Sequence, residues 1–285
     1  MGTHDTPAVI KHIQETTGYA KINYIGHSEG TSQIMAGAGL KPYNKFYSDS
    51  LNLAVFLAPP ACMSFNTSEI YNLLNSAASR KILTDAINLT GQYNLLPYNF
   101  LTSGSAQILC KLFDGKLCDL LLKTAADADP DIDNTDMYAI MTKNLPAGAS
   151  YRNTLHYAQL MDLPYQEFLR WDYGREGNIK NYGQETPPAY DLSLLDFPLA
   201  ILSGSKDKMA DPLDVKWTSD QLKNITIFNH EYYLGHISFA IAKDMSWFDV
   251  DVMAIMNHYN GKCSPSTLNS NFTVGNEKCK EELSN

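Results

Sequence analysis

The sequence predicts an α/β protein with a mostly parallel sheet, crossover helices and a helical insertion. Three observations predict it. Short apolar runs at Lys21–Ile25 and Leu51–Leu57 alternate with helix-like segments near the start of the chain. The same alternation returns at Pro198–Leu202 and Ile225–Phe228, and residues 61–196 between them lack it. Strands separated by helices pair in parallel, because the crossover returns the chain to the same end of the sheet. With 285 residues and 44% hydrophobic content, the chain can bury a large core.

The elements follow in order. Thr6–Gly18 reads as a helix with Val9, Ile10 and Ile13 apolar and Gly18 as its stop. Lys21–Ile25 is a strand that runs straight into Gly26, and the small-residue segment Gly30–Gly39 reads as the next helix. Leu51–Leu57 is a buried strand closed by Ala58-Pro59-Pro60. From Ala61 to Asp196 come helical stretches, polar loops and an acidic run, Asp127–Asp136. That run reads as a solvated loop; it lacks the spacing and the glycine of an EF-hand calcium loop. Then Pro198–Leu202 is a strand, Pro212–Leu222 a helix and Ile225–Phe228 a strand, followed by a loop carrying His236 and a helix at Trp247–His258. The organisation expected is a core at 1–60, a cap or lid at 61–196, core again at 197–262 and a polar tail at 263–285.

Charge and motifs narrow the function classes. With 22 basic against 31 acidic side chains the net charge is −9, and Lys and Arg do not cluster. A surface that tracks phosphates needs such clusters, so nucleic acid is excluded as the main partner. No apolar stretch is long enough to predict a transmembrane segment, and no apolar h-region marks a signal peptide. Asn66, Asn88, Asn224 and Asn271 each begin an Asn-x-Ser/Thr sequon, which leans toward a secretory-pathway glycoprotein. Met1-Gly2-x-x-x-Thr6 fits a myristoylation pattern that conflicts with those sequons. Of five cysteines, Cys110 and Cys118 are a disulfide candidate and Cys263 with Cys279 a second, leaving Cys62; five free thiols is the alternative.

Gly26-His27-Ser28-Glu29-Gly30 stands between an apolar strand and a helix. There a strained turn can lift a serine hydroxyl above the carboxyl end of a sheet, as in the nucleophile elbow of α/β-hydrolases. Glycine at both flanks avoids collisions of Cβ atoms with strand and helix. A serine nucleophile needs a base, and the base an orienting carboxylate, in the chain order Ser, acid, His. His27 is expected to point away, and of the later histidines His236 is preferred over His230 because Gly235 frees its loop. Asp207 is preferred as the acid; Asp211 and Asp214 are rivals, Asp211 reading as a helix N-cap before Pro212. The backbone N–H of Glu29 would hold the oxyanion together with a second N–H from elsewhere. This chemistry needs no cofactor and no metal.

Several segments together resemble the acid lipases, the group of gastric lipase and lysosomal acid lipase. They are Tyr24–Thr31, Asn144–Ser150 with Leu155–Gln159, Trp171–Gly174, Pro187–Tyr190, Ser203–Asp207 with Ala210–Pro212, and Gly235–Phe239, in the family's order. The resemblance implies an α/β-hydrolase fold, Ser28, Asp207 and His236 as the triad, and triglyceride or steryl ester substrates met at a lipid–water interface. It also implies an acidic working pH and a secreted or lysosomal setting; oligomeric state stays open. Two departures stand out. Only 27 residues precede Ser28, whereas this fold's elbow follows a fifth strand. The expectation is an N-terminally truncated chain without the family's earlier strands and second oxyanion donor, leaving Lys21–Ile25 with an open apolar edge. Glu29 replaces the usual Gln, and a carboxylate there opposes an oxyanion unless it turns away or is protonated. The alternatives to a lipid-ester hydrolase are a short-chain carboxylesterase and a catalytically incompetent fragment.

Overall fold

In chain order the strands are β1 (Ile22–His27), β2 (Leu51–Leu57), the two-residue β3 (Asn94–Leu95) and β4 (Ala149–Ser150), β5 (Leu199–Gly204) and β6 (Thr226–Tyr232). They belong to a computed structural model that describes residues 1–74, 76–99, 104–105, 108, 116–262 and 271–272. The main sheet has the order β1-β2-β5-β6 and every pairing in it is parallel. The two inner strands are the most apolar: β5 is buried along its whole length, and in β2 only Asn52 is not. Such continuous burial is what a strand covered on both faces requires. The outer strands alternate more, and Ile25 of β1 is 39% exposed. Among the described residues β1 pairs with β2 alone, so its other edge is open.

Helix α1 (Asp5–Thr17) ends where Gly18 adopts φ 76°, a left-handed cap that suits glycine. Helix α2 (Glu29–Ala38) follows the elbow, and α3 (Tyr43–Ser50) packs on both α1 and α2. Helix α3 carries no sequence signal of its own. It has no long apolar stripe, and what anchors it is Tyr47, buried with its hydroxyl donating to the Gly2 carbonyl. Pro212–Leu222 is helical as expected, its N-cap Asp211 accepting the Leu213 N–H at 2.9 Å. The expected helix at Trp247–His258 splits into a π-helical turn, Trp247–Val252, and an α-helix, Met253–Tyr259. A π turn takes up one extra residue and shifts the helix register there.

Between β2 and β5 lie helices Glu69–Asn72, Ala77–Thr90, Lys116–Ala125, Tyr138–Asn144, Tyr151–Met161 and Arg175–Tyr182, with the β3/β4 pair. Nearly all of residues 263–285 lie outside the described residues. No helix among the described residues is long and apolar enough to cross a membrane.

Candidate active site

Ser28 sits between the last residue of β1 and the first of α2, with φ 54° and ψ −124°. That conformation is rare for a residue with a Cβ and is held only when surroundings fix it. They do. Its N–H donates to the Leu57 carbonyl at 2.9 Å, and its carbonyl accepts from Thr31 N–H at 2.9 Å and Thr31 Oγ1 at 2.7 Å. A Cβ on Gly26 would lie 2.7 Å from Tyr24 Cε1 and 3.1 Å from the Gly30 and Thr31 backbone, so only glycine fits there. On Gly30 a Cβ would meet only the Tyr24 hydroxyl, at 3.3 Å. The second glycine is thus less strictly required than the motif suggests.

His236 comes after β6 and Asp207 after β5, so the parallel sheet delivers both at the end of the sheet where Ser28 stands. His236 Nε2 lies 2.7 Å from Ser28 Oγ, and Nδ1 lies 2.8 Å from Asp207 Oδ2. The other Asp207 oxygen accepts the Met209 and Ala210 N–H groups, each at 2.8 Å. A carboxylate on Nδ1 fixes the tautomer: Nδ1–H donates to Asp207, and the Nε2 lone pair is left for the serine proton. Burial of the ring opposes its charged form, yet the charge and hydrogen bond of Asp207, with a contribution from Asp127, prevail and hold its pKa above the usual value. Ser28, Asp207 and His236 therefore meet in one hydrogen-bonded line.

The rivals have other partners. Asp214 is buried, accepting from Phe65 N–H at 2.9 Å and from Gln166 at 3.1 Å, with the buried Cys62 thiol beside it. His230 lies within β6, its ring against Tyr232.

Two expectations need correcting. His27 does not point away: its Nε2 is 2.8 Å from the main-chain carbonyl of His236, and the two rings are 4.8 Å apart. Burial and the neighbouring His236 lower its pKa to about 4, so it donates as a neutral ring. The acidic run is not simply solvated either. Asp127 and Asp133 are fully buried, and Asp127 Oδ1 accepts the Ile237 N–H at 3.0 Å, beside His236. Neither residue carries a local signal for this, because the partners lie more than a hundred positions away.

Ser28, Glu29, Pro60, Met63, Tyr71 and Tyr157 line a cavity of about 70 Å³. The Glu29 side chain turns to Asn153, whose Nδ2 donates to it at 2.7 Å, and burial raises its pKa. Asn66 is half-buried with its amide donating to the Met209 carbonyl at 2.9 Å; Asn88 and Asn224 are exposed; the Asn271 amide donates to Asp251 at 2.9 Å. Cys118 is buried, and Cys110, Cys263 and Cys279 lie outside the described residues.

A strained serine at a strand–helix turn, on a parallel sheet with this strand order, defines an α/β-hydrolase fold. The chain is similar in sequence to acid lipases. It is 28% identical over 246 residues to lipase member K of Homo sapiens, 29% over 249 residues to gastric triacylglycerol lipase of Bos taurus, and 29% over 255 residues to lysosomal acid lipase/cholesteryl ester hydrolase of Homo sapiens. These alignments cover 86%, 86% and 87% of this chain but 59%, 59% and 60% of those proteins. The chain thus spans about three fifths of the length of the curated relatives it matches. No family model matches it. Among solved structures it is similar to a monoacylglycerol lipase of Paleococcus ferrophilus, with TM-score 0.43, 14% identity, and 92% of this chain and 76% of that one covered. It is also similar to an α/β hydrolase fold protein of Nakamurella multipartita, with TM-score 0.36, 14% identity and coverage of 84% and 70%.

Proposed function

We propose that this chain carries the reacting groups of a serine hydrolase of lipid esters, triacylglycerols or steryl esters. The observation that carries the reading is the unbroken line Ser28 Oγ, His236 Nε2, His236 Nδ1, Asp207 Oδ2, with links of 2.7 and 2.8 Å. His236 takes the Ser28 proton as Oγ attacks the ester carbonyl, and Asp207 stabilises the imidazolium that forms. The oxyanion is held by the Glu29 N–H at the start of α2; the Glu29 carboxylate, turned to Asn153, stays off it. Collapse expels the alcohol, which leaves with the proton from His236. Water, activated by the same ring, then releases the acid from the acyl-Ser28.

The lipid preference is supported by the surface. More than half of the large exposed apolar side chains among the described residues lie between Phe65 and Leu145, in the insertion that would form the lid. Such a concentration suits contact with a lipid surface. The names of the relatives, gastric triacylglycerol lipase and lysosomal acid lipase, support the same substrates and a secreted or lysosomal setting. One observation favours a second reading, a short-chain carboxylesterase: the cavity at Ser28 is small, about 70 Å³, which suits a short acyl group. Turnover of emulsified triolein against a dissolved butyrate ester separates the two. Fluorophosphonate labelling tests the common claim: Ser28 is modified and Ser28→Ala is not. A folded chain that resists labelling sinks both readings in favour of an incompetent fragment.

A further inference from the structure

The segment around Asp127 bridges both loops of the triad. On one side it pairs antiparallel with the turn bearing the acid. Ala128 N–H donates to the Lys206 carbonyl and Lys208 N–H to the Ala126 carbonyl, both at 2.8 Å, with Asp127 opposite Asp207. On the other side it holds the segment bearing the base. The Asp127 carboxyl accepts the Ile237 N–H at 3.0 Å. It lies flat against Gly235, where a Cβ would come within 2.6 Å of its Oδ1, Cγ and Cβ, so the residue before His236 must be glycine. Six residues on, Asp133 pairs opposite Ala242; Lys243 N–H donates to the Ile132 carbonyl at 2.9 Å and Asn134 N–H to the Ile241 carbonyl at 2.7 Å.

Two buried carboxyls meet in this clasp. Asp127 Oδ2 has no hydrogen-bond partner among the described residues, and the polar neighbours of the Asp133 carboxyl are Ser238 and Asp127 itself. Two carboxylates buried together would cost several kcal/mol, on the order of the penalty for each buried ion, so burial favours the neutral form of each. Facing Asp127 are His236, Asp207 and Asp133, with Tyr138 further along; Asp133 also faces Asp119, Ser238 and Lys243.

We propose that Asp127 is a positioning residue for His236, a carboxyl besides that of Asp207 that fixes the base-bearing loop and the acid-bearing turn in one frame. The proposal rests on the triad reading above and extends it. Burial, and then the neighbouring Asp133, push the Asp127 carboxyl up to about 7, partly offset by the Ile237 N–H. In acid it is therefore neutral and leaves the proton affinity of His236 to Asp207; towards neutrality it ionises and strengthens the hold of the ring on its proton. The effect is to keep the imidazole available as a base at lower pH than a permanently charged neighbour would allow.

The test is NMR titration of the His236 ring in the full chain, wild type against Asp127→Asn, with Ser28 labelling measured in parallel. Asn keeps an acceptor for Ile237 and removes the charge. The His236 midpoint should fall by roughly 0.5–1 pH unit, as expected for loss of a nearby opposite charge. Asp127→Ala, which also strips the Ile237 acceptor, should label about 10–100-fold more slowly than Asp127→Asn. An unchanged His236 midpoint in Asp127→Asn overturns the proposal. The wild-type chain supplies a measurement that needs no variant: the Asp127 carboxyl carbon should titrate near 7, and a midpoint near the usual aspartate value overturns the proposal. Failure of Ser28 to label at all would instead strike the proposed function, while the ring titration would still report on Asp127.

Discussion

His27 Nε2 lies 2.8 Å from the main-chain oxygen of His236, so the residue before Ser28 holds the residue whose ring faces the Ser28 hydroxyl. The ring of His27 is half-buried, with a pKa of about 4 in the fold against 6.5 free. The folded state therefore binds fewer protons than the unfolded one between these values. The stability this neutral ring supports is full above pH 6.5, falls as pH drops to about 4, and is level below. The loss amounts to about 2–3 kcal/mol after discounting for partial exposure. Denaturant unfolding of wild type and His27→Asn at pH 7 and pH 4.5 should show a shallower pH dependence in the variant. Parallel curves would contradict the assignment.

Asp207 faces a sharper expectation. Replacing it with Asn removes the charge and offers Nδ1 a donor as readily as an acceptor, so the tautomer is lost. Fluorophosphonate labelling of Ser28 should slow about 10³–10⁴-fold, the scale known for such a change in a serine protease triad. A loss below tenfold would mean that another carboxyl orients the ring.

The elbow glycines should differ. Gly26→Ala places a Cβ 2.7 Å from Tyr24 Cε1 and 3.1 Å from backbone, and should cost about 1–3 kcal/mol of stability. Gly30→Ala meets only a hydroxyl at 3.3 Å and gains helix propensity, so its cost should stay below about 1 kcal/mol. Equal costs in thermal unfolding would show that the motif is symmetric after all.

Glu29 carries a raised pKa through burial. A carboxyl that prefers its neutral form in the fold supports stability below its unfolded pKa, and that support is lost as pH rises through the folded value. Glu29→Gln should therefore raise Tm by about 1–2 °C at pH 7, with the gap closing towards pH 4. Because the side chain faces Asn153, the pH–rate profile should superimpose on that of the wild type.

What could be read without coordinates was local. Leu51–Leu57 is apolar apart from Asn52 and stopped by two prolines, so strand and limits coincide with β2. Ser28 was legible because the elbow is a local motif, and Asp207 and His236 because chain order leaves few candidates. Helix α3 was not, since its anchor Tyr47 reaches a carbonyl 45 positions away. Asp127 has the local sequence of any acidic loop; its hydrogen-bond partner, the Ile237 N–H, lies 110 positions on. Patterns of period 2 or 3.6 carry no information at that range.

The separation of 208 positions between Ser28 and His236 also has a meaning in time. On the ribosome, at 5–20 residues per second, Ser28 leaves the tunnel roughly 10–40 s before His236 does. Throughout that interval it is an ordinary alcohol. A nascent chain of this kind gains the proposed pairing of Ser28 with His236 only after both segments have emerged.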